Sequence, residues 1–334
     1  PYITPSLYHL MSHLDLSDGV LYPVGGFSRV IHTIADLATG AGVDIRTGHA
    51  VSRILVENEE VVGVEYRVGD GAGGAQRLEA DIVVSAADLH FTETQLLEPA
   101  QQTYPESYWE KSTPGPGGLL LYLGVTGEVP ELEHHTLMFT REWQEGFDAI
   151  FGETTSVPNP ASLYVCKPSV VDPDTAPDGS TNLFVLVPIP SDPRIGRGDV
   201  DGDGDARIEA LADQVIDQIA RWANIPDLAS RITVRRTVGP RNFVEELNSW
   251  KGTLLGPAHT LKQSAFFRAG NVSKKVAGLY YAGGSSIPGI GLPMCLISAE
   301  ILIKRLRGDT STGPLPEPLM PLGEPAVALT GTDS

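Results

Sequence analysis

The clearest pattern of apolar and polar positions lies between residues 27 and 86. Apolar residues recur every three or four positions from Phe27 to Ala38, which predicts a helix ending at Gly40 and Gly42. After it, "VDIRTG" predicts a short strand, and "AVSRILVEN" with "VVGVEYRV" predicts a β-hairpin around a polar turn. The run "RLEADIVVSAA" predicts a further strand whose second half is apolar enough for burial on both faces.

The middle of the chain, about residues 91–260, is richer in proline and less regular. There, "GGLLLYLGVTG" and "TNLFVLVPIP" predict strands, and "ARIEALADQVIDQIARWA" predicts an amphipathic helix. Near the C-terminus, "LYYA" predicts a strand that leads through glycines into an apolar helix. This order predicts an α/β protein in which one domain is interrupted by another, so that the first and last pieces belong together.

The turn in "LYYAGGSSIPGIGLPMCLISAEI" (residues 279–301) is similar to a nucleotide-binding turn but fails the spacing G-x-G-x-x-G, because Met294 stands at the third glycine. The glycine pair would let a ligand approach the backbone closely. Pro293 suits the first turn of a helix, whose N-terminus offers free N–H groups and a partial positive charge. Two interpretations stay open at this point: ligand contact, or a tight turn needed only for packing.

Charge and composition exclude several classes of protein. The chain has 334 residues and a formal net charge of −18, which argues against nucleic-acid binding, because phosphate binding needs a basic face. Its two cysteines, Cys166 and Cys295, form no disulfide framework and suit a reducing compartment. The uncharged run 276–299 is interrupted by glycines and prolines, so we do not interpret it as a membrane span.

We expect no metal site. The acidic loop "DVDGDGD" matches the start of a calcium-binding loop, but Ala210 stands where a bidentate Glu is needed, so the loop is interpreted as solvated, with its last Asp capping a helix. The neighbouring His134 and His135 would point to opposite faces of a strand. Four aromatic residues fit either a core or an apolar ligand channel, namely Phe243, Trp250, Phe266 and Phe267.

Several stretches, in order, resemble the carotenoid phytoene desaturases of bacteria and fungi, in the flavin amine-oxidase-like superfamily. They are "GVLYPVGGFSRVIHTIADLATGAGVDIRTGHAVSRI", "VDPDTAPDGSTNLFVLVPIP", "GTLLGPAHTLKQSAFFR" and "LYYAGGSSIPGIGLP". The resemblance implies an FAD/NAD(P)-binding Rossmann-like domain, incomplete here, interrupted by a substrate domain of mixed β-sheet and helices. The implied boundaries are 1–22 and 91–265 for the substrate domain, and 23–90 and 266–308 for the FAD-binding domain. Residues 309–334 are rich in Pro, Gly and Thr, which predicts a flexible tail.

The resemblance also implies a cofactor, FAD, bound without a covalent bond. It places Gly283, Gly284 and Ser285 at the ribityl–phosphate part. It places Gly291, Leu292, Pro293 and Met294 near the pyrimidine end of the ring, and the backbone of Val51 at the adenine. Many relatives carry His at the position of Ile287 and Gly at that of Met294. No side chain stands out as a catalytic base.

The implied activity is desaturation of a carotenoid precursor by hydride transfer to flavin. Because that substrate is an insoluble hydrocarbon, we expect a cytoplasmic protein attached peripherally to a membrane by apolar contacts. We also expect a fragment without the N-terminal glycine fingerprint, and therefore inactive alone. The alternatives are a non-catalytic isoprenoid-binding escort protein of the same superfamily, or a related carotenoid oxygenase or desaturase of shorter carotenoids.

Overall fold

The computed structural model describes residues 3–19, 21–71 and 73–316, so the end of the predicted tail, 317–334, lies outside the described residues. The helices are α1 His9–Ser17, α2 Phe27–Gly40, α3 Leu89–Gln95, α4 Glu106–Trp109, α5 Trp143–Phe151, α6 Ala206–Trp222, α7 Leu228–Arg231, α8 Pro240–Leu247 and α9 Leu292–Arg307. The strands are β1 His49–Glu57, β2 Glu60–Val68, β3 Gln76–Glu79, β4 Val83–Ser85, β5 Gly117–Thr126, β6 His135–Met138, β7 Leu163–Cys166, β8 Ser180–Ile189, β9 Ile232–Val238 and β10 Leu279–Tyr281. The predicted mixed α/β class is confirmed.

The first sheet is antiparallel and has the order β1-β2-β3. The predicted hairpin between β1 and β2 is confirmed, and its two turn residues, Asn58 and Glu59, both have positive φ, as a type I′ turn requires. The strand predicted for "VDIRTG" is wrong, because residues 43–48 form no strand. The predicted strand "RLEADIVVSAA" divides into β3 and β4, which belong to different sheets.

A five-stranded sheet of order β6-β7-β8-β5-β9 forms the middle of the chain. One face packs against α6, whose residues Ile208, Val215 and Ile219 are buried, and this cluster is the larger core. The helix begins after Asp205 as predicted, but the Asp205 carboxylate accepts from Arg197 N instead of capping the helix. Within the described part of the chain, the acidic loop gathers no group of three potential metal ligands.

Two segments that are far apart in sequence meet in a second core. Strand β10 pairs with β4 in parallel, with Leu279 opposite Val83. The core joins residues 54–109 to residues 250–281, including Trp109 and Trp250, which are almost fully buried. Residues 91–109, which are predicted to belong to the substrate domain, therefore pack with the C-terminal piece. The prediction that β4 is buried on both faces is wrong, because its sheet has two described strands and Val84 is exposed.

Several helices leave apolar side chains exposed. On α2, the predicted apolar face carries no buried residue, and Phe27, Ile31 and Leu37 are each more than half exposed. On α9, only Ser298 and Leu302 are buried. Residues 309–316 follow α9 without regular structure and contact it through Lys304 and Glu300. Among the helices of the described residues, none has the length and apolar character needed to cross a membrane.

Candidate functional site

The turn between β10 and α9 is anchored from behind by buried polar side chains. Asn271, which is 1% exposed, donates from Nδ2 to the carbonyl oxygens of Tyr281 (3.0 Å) and Ile287 (3.2 Å). The same nitrogen lies 3.1 Å from the hydroxyl of Ser298 on α9, and that hydroxyl accepts from Gly283 N at 3.1 Å. The turn is therefore tied both to the preceding segment and to the helix that follows it.

A buried cation supports the middle of the turn. Arg268, which is 5% exposed, donates from Nε (3.1 Å) and Nη2 (2.7 Å) to the Gly284 carbonyl, and from Nη1 to the Gln263 carbonyl. Among the described residues, no carboxylate forms an ion pair with it. Burial lowers the pKa of Arg268 from its ordinary value. A guanidinium with neutral partners behind a glycine turn places positive charge where an anionic ligand would be favoured.

The N-terminus of α9 is open. Gly291 occupies the N-cap position with φ +107°, a conformation that favours glycine, and it has no side chain that could accept the first N–H groups. A Cβ built on Gly291 would meet no atom within 4 Å, so the space beside it is free. Because a helix N-terminus carries a partial positive charge, this end of α9 can face an electron-rich group.

The structure brings together seven of the eight residues predicted to bind the cofactor. Gly283, Gly284 and Ser285 lie in the turn, and residues 291–294 end it and begin α9. Val51 lies elsewhere, on β1 of the first sheet, where it is partly exposed. Sequence reasoning missed Arg268, Asn271 and Ser298. The available signal was a set of polar residues within apolar stretches, in "FFRAGN" and "CLISAEI".

The four predicted channel aromatics do not form one group. Phe243 is buried against Leu120 and Val238, on the sheet face opposite α6. Trp250 belongs to the second core, and Phe266 and Phe267 are 91% and 65% exposed.

Sequence reasoning missed the aromatic surface that does exist on that same sheet face. Phe184 lies 5.3 Å from Tyr122 and 6.4 Å from Tyr164, measured between ring centroids. The strands pair Tyr164 with Leu186 and Phe184 with Tyr122, so these side chains share the face.

The two adjacent histidines also differ from expectation. Instead of pointing to opposite faces, the rings of His134 and His135 stack with centroids 4.0 Å apart. The physical reason is that β6 begins at His135, so His134 lies outside the strand and does not follow its alternation. Cys166, which is cross-strand from His135, completes a group of three potential metal ligands.

Comparison with known proteins gives the family. A profile of flavin containing amine oxidoreductases matches residues 2–301. The chain belongs to this family. The superfamily predicted from the quoted motifs is thereby confirmed.

Two curated relatives of this flavin containing amine oxidoreductase are desaturases. The chain is 40% identical to the carotenoid 3,4-desaturase of Haloarcula japonica, over 92% of this chain and 59% of the relative. It is 30% identical to the phytoene desaturase of Fusarium fujikuroi, over 93% of this chain and 55% of the relative. The chain thus spans little more than half the length of these relatives.

A solved structure shows a related fold. An oxidoreductase from Methanosarcina mazei superposes with a TM-score of 0.53 at 16% identity, covering 84% of this chain and 55% of that one.

A glycine motif that sequence reasoning missed does not form a dinucleotide site. The spacing G-x-G-x-x-G occurs at Gly69, Gly71 and Gly74. They lie between the antiparallel strands β2 and β3, whereas a dinucleotide site needs a strand followed by a helix. In this family member the turn before α9 remains the candidate flavin site.

Proposed function

We propose that the protein carrying this chain is an FAD-dependent carotenoid desaturase. The observation that carries the proposal is the turn before α9, which combines an open glycine surface, an uncapped helix N-terminus and a buried cation. These features fit an electron-rich, anionic cofactor such as FAD. When bound, FAD supplies the hydride acceptor for removing hydrogen from an allylic carbon. The two curated relatives, one named for carotenoids and the other for phytoene, suggest the substrate class.

We assign the residues of the turn as follows. Gly283, Gly284 and Ser285 hold the ribityl–phosphate part of FAD, residues 291–294 meet the pyrimidine end of the ring, and the backbone of Val51 meets the adenine. Arg268 shapes the turn through the Gly284 carbonyl and adds positive charge beside it. In a chain with net charge −18, a local cation is needed to favour an anionic ligand.

We propose that the FAD-binding domain is assembled from residues 23–90 and 266–308 together with a further segment of the protein. The shared core of residues 54–109 and 250–281 supports union of the two pieces. The exposed apolar faces of α2 and α9 support a covering segment, because contiguous apolar surface of this kind is rarely left in water. The relatives, of which this chain spans little more than half, have the length to supply it.

The apolar substrate would lie along the aromatic face of the five-stranded sheet. Tyr122, Phe184 and Tyr164 form a line of contacting rings, and Leu120 and Leu186 lie on the same face beside them. Rings and aliphatic side chains give a long hydrocarbon contact area without requiring polar partners. Phe243 packs on this same face, against Leu120 and Val238.

We propose a bilayer surface as the partner that delivers the substrate. Near the edge strand β6, a groove of about 910 Å³ is lined by Phe139, Trp143, Phe147, Pro188 and Trp222 among others. Phe139 and Trp143 are each about half exposed. Aromatic side chains of this kind favour the membrane–water interface, and the acidic net charge supports apolar attachment over attraction to anionic lipid.

The proposal is tested with the full-length protein. The purified protein should be yellow, because it retains FAD. It should convert phytoene or a more unsaturated carotene to products with additional double bonds, which absorption spectra and mass spectrometry identify. A protein that binds isoprenoids but neither retains FAD nor forms a product would instead be an escort protein. Oxygenated products would show a carotenoid oxygenase, and turnover confined to shorter carotenoids would show the other related enzyme.

A further inference from the structure

A cluster of two histidines and a cysteine lies at one end of the five-stranded sheet, apart from the turn before α9. His134 precedes β6, His135 begins it, and Cys166 ends the neighbouring strand β7 directly opposite His135. One potential ligand atom from each of the three residues lies within 4.8 Å of the other two. Imidazole nitrogen and thiolate sulfur are the donors that zinc and similar transition metals prefer.

The histidines present nitrogens that the protein itself does not use. His134 Nε2 is buried and has no hydrogen-bond partner within the described residues. A buried polar atom without a partner is costly, so it calls for a ligand. His135 Nδ1 is bonded to the Tyr164 hydroxyl at 2.7 Å, which leaves Nε2 as its free nitrogen. Partner groups of this kind orient metal-binding histidines in proteins.

Both histidines lie in contact with other rings. The two imidazoles stack with centroids 4.0 Å apart. Tyr22 packs edge-on against His134 at 5.3 Å, which shields one side of the cluster.

We propose that His134, His135 and Cys166 bind one divalent transition metal ion of the zinc class, with a fourth position open to water. As the metal–sulfur bond forms, the thiol proton passes to solvent and no oxidant or reductant is needed. Zinc lies about 2.0–2.3 Å from such ligands, so the three atoms must draw about 1 Å closer than their present spread. His135 is exposed and can make that movement by side-chain rotation.

The position of the cluster indicates what the metal would do. Strand β6 is the edge of the sheet and pairs with β7 over four residue pairs. A metal shared by His135 and Cys166 would cross-link the two strands at their end. Through Tyr22, the cluster also adjoins the segment whose Gly25 N donates to the buried Asp172 carboxylate at 2.7 Å. A metal ion here would therefore stabilise the pairing of β6 with β7 and the contact of Tyr22 with His134, independently of flavin.

The test is a Co²⁺ titration of the full-length, FAD-loaded protein in excess Ca²⁺, which occupies exposed carboxylates. Because the flavin absorbs in the same region, each spectrum is read as the difference from the Co²⁺-free protein. We expect one equivalent of Co²⁺ to produce a thiolate-to-cobalt charge-transfer band, with displacement by Zn²⁺. Cys166→Ser should abolish the band, and His134→Gln or His135→Gln should weaken Co²⁺ binding at least tenfold. The matched control is Cys295→Ser, because Cys295 is the other cysteine of these 334 residues and lies in α9; it should keep the band.

A second measurement distinguishes the loss of the metal site from misfolding of a variant. Zn²⁺ should raise the unfolding temperature of the wild type and of Cys295→Ser by several degrees, and should leave that of Cys166→Ser unchanged. Each variant is first checked for wild-type circular dichroism and FAD content. Three results would overturn the proposal: Co²⁺ binding without the charge-transfer band, a band that survives Cys166→Ser, or no saturable binding by millimolar Co²⁺ to the folded wild type.

Discussion

Replacing Gly291 with Ala separates the backbone role of this glycine in the turn before α9 from its proposed role as a contact surface for FAD. Gly291 has φ +107° and ψ 149°, a region open almost only to glycine. A methyl group there would meet no protein atom within 4 Å, so it would project into the space assigned to the cofactor. The same helix provides a matched control. Gly308, at the C-terminal end of α9, has φ +68°, and a Cβ built there also meets nothing within 4 Å.

The magnitudes of the two substitutions follow from these conformations. Backbone strain at Gly291 should cost Gly291→Ala about 1–3 kcal/mol of the free energy of unfolding. Gly308→Ala should cost roughly 1–2 kcal/mol, because Gly308 lies in the left-handed helical region. Steric clash adds nothing at either position. If FAD contacts Gly291, the methyl group must also weaken FAD binding, and we expect at least a tenfold loss, about 1.4 kcal/mol.

The assay measures both quantities on the full-length protein. Urea unfolding of the apoprotein gives the stability of each variant, and flavin fluorescence titration gives the FAD dissociation constant. We expect the two variants to be similarly destabilised and only Gly291→Ala to lose FAD affinity. If Gly291→Ala binds FAD within threefold of the wild type, the glycine is needed only for the turn. Equal loss of affinity in Gly308→Ala would show a general effect of instability.

Three further predictions concern other parts of the molecule. Arg268→Met should weaken FAD binding at least tenfold in the same titration, whereas Arg268→Lys should retain more affinity; equal affinities would show that the charge has no role. Burial raises the pKa of Glu93 above its ordinary 4.5, so the folded state binds its proton more tightly than the unfolded state. The stability of the wild type relative to Glu93→Gln should therefore fall as pH rises from 4.5 through the raised pKa, as measured by urea unfolding; a flat or rising difference would contradict this. Trp143→Ser should reduce co-sedimentation with neutral liposomes, and Leu247→Ser, an exposed apolar control on α8, should not; equal loss in both would show unspecific binding.

Local periodicity was enough to predict most regular elements. The α2 and α6 helices and the β1–β2 hairpin follow from spacing and turn residues that act within a few positions of one another. The turn between β10 and α9 also follows from the sequence, because glycines, Pro293 and an apolar run mark it within one short segment. The strand prediction for "VDIRTG" was wrong although its composition is strand-like. A strand needs a partner, and this segment pairs with no strand among the described residues.

The parts that sequence reasoning missed depend on long-range contacts. Arg268 meets Gly284 across 16 positions, and Asn271 meets Ser298 across 27. Neither distance has a periodicity that a single sequence reveals. His134 and His135 were misjudged by assuming that both lie in a strand, and Cys166 joins them only through the pairing of β6 with β7. Local sequence patterns predict helices and strands, but they do not predict the polar contacts between distant residues that form the two candidate sites.

The stability of the turn does not explain why Arg268 is charged, whereas the proposed function does. Its partners are the carbonyl oxygens of Gly284 and Gln263, which a neutral donor such as a glutamine amide can also satisfy in part. Removing a cation from water costs several kcal/mol unless a charged partner compensates it, and the described residues offer no carboxylate. The turn alone therefore gives no reason for a full positive charge in a protein with 42 acidic and 24 basic residues. The FAD that we propose to bind on the far side of the turn would supply that reason, because its binding free energy would offset the cost of burial.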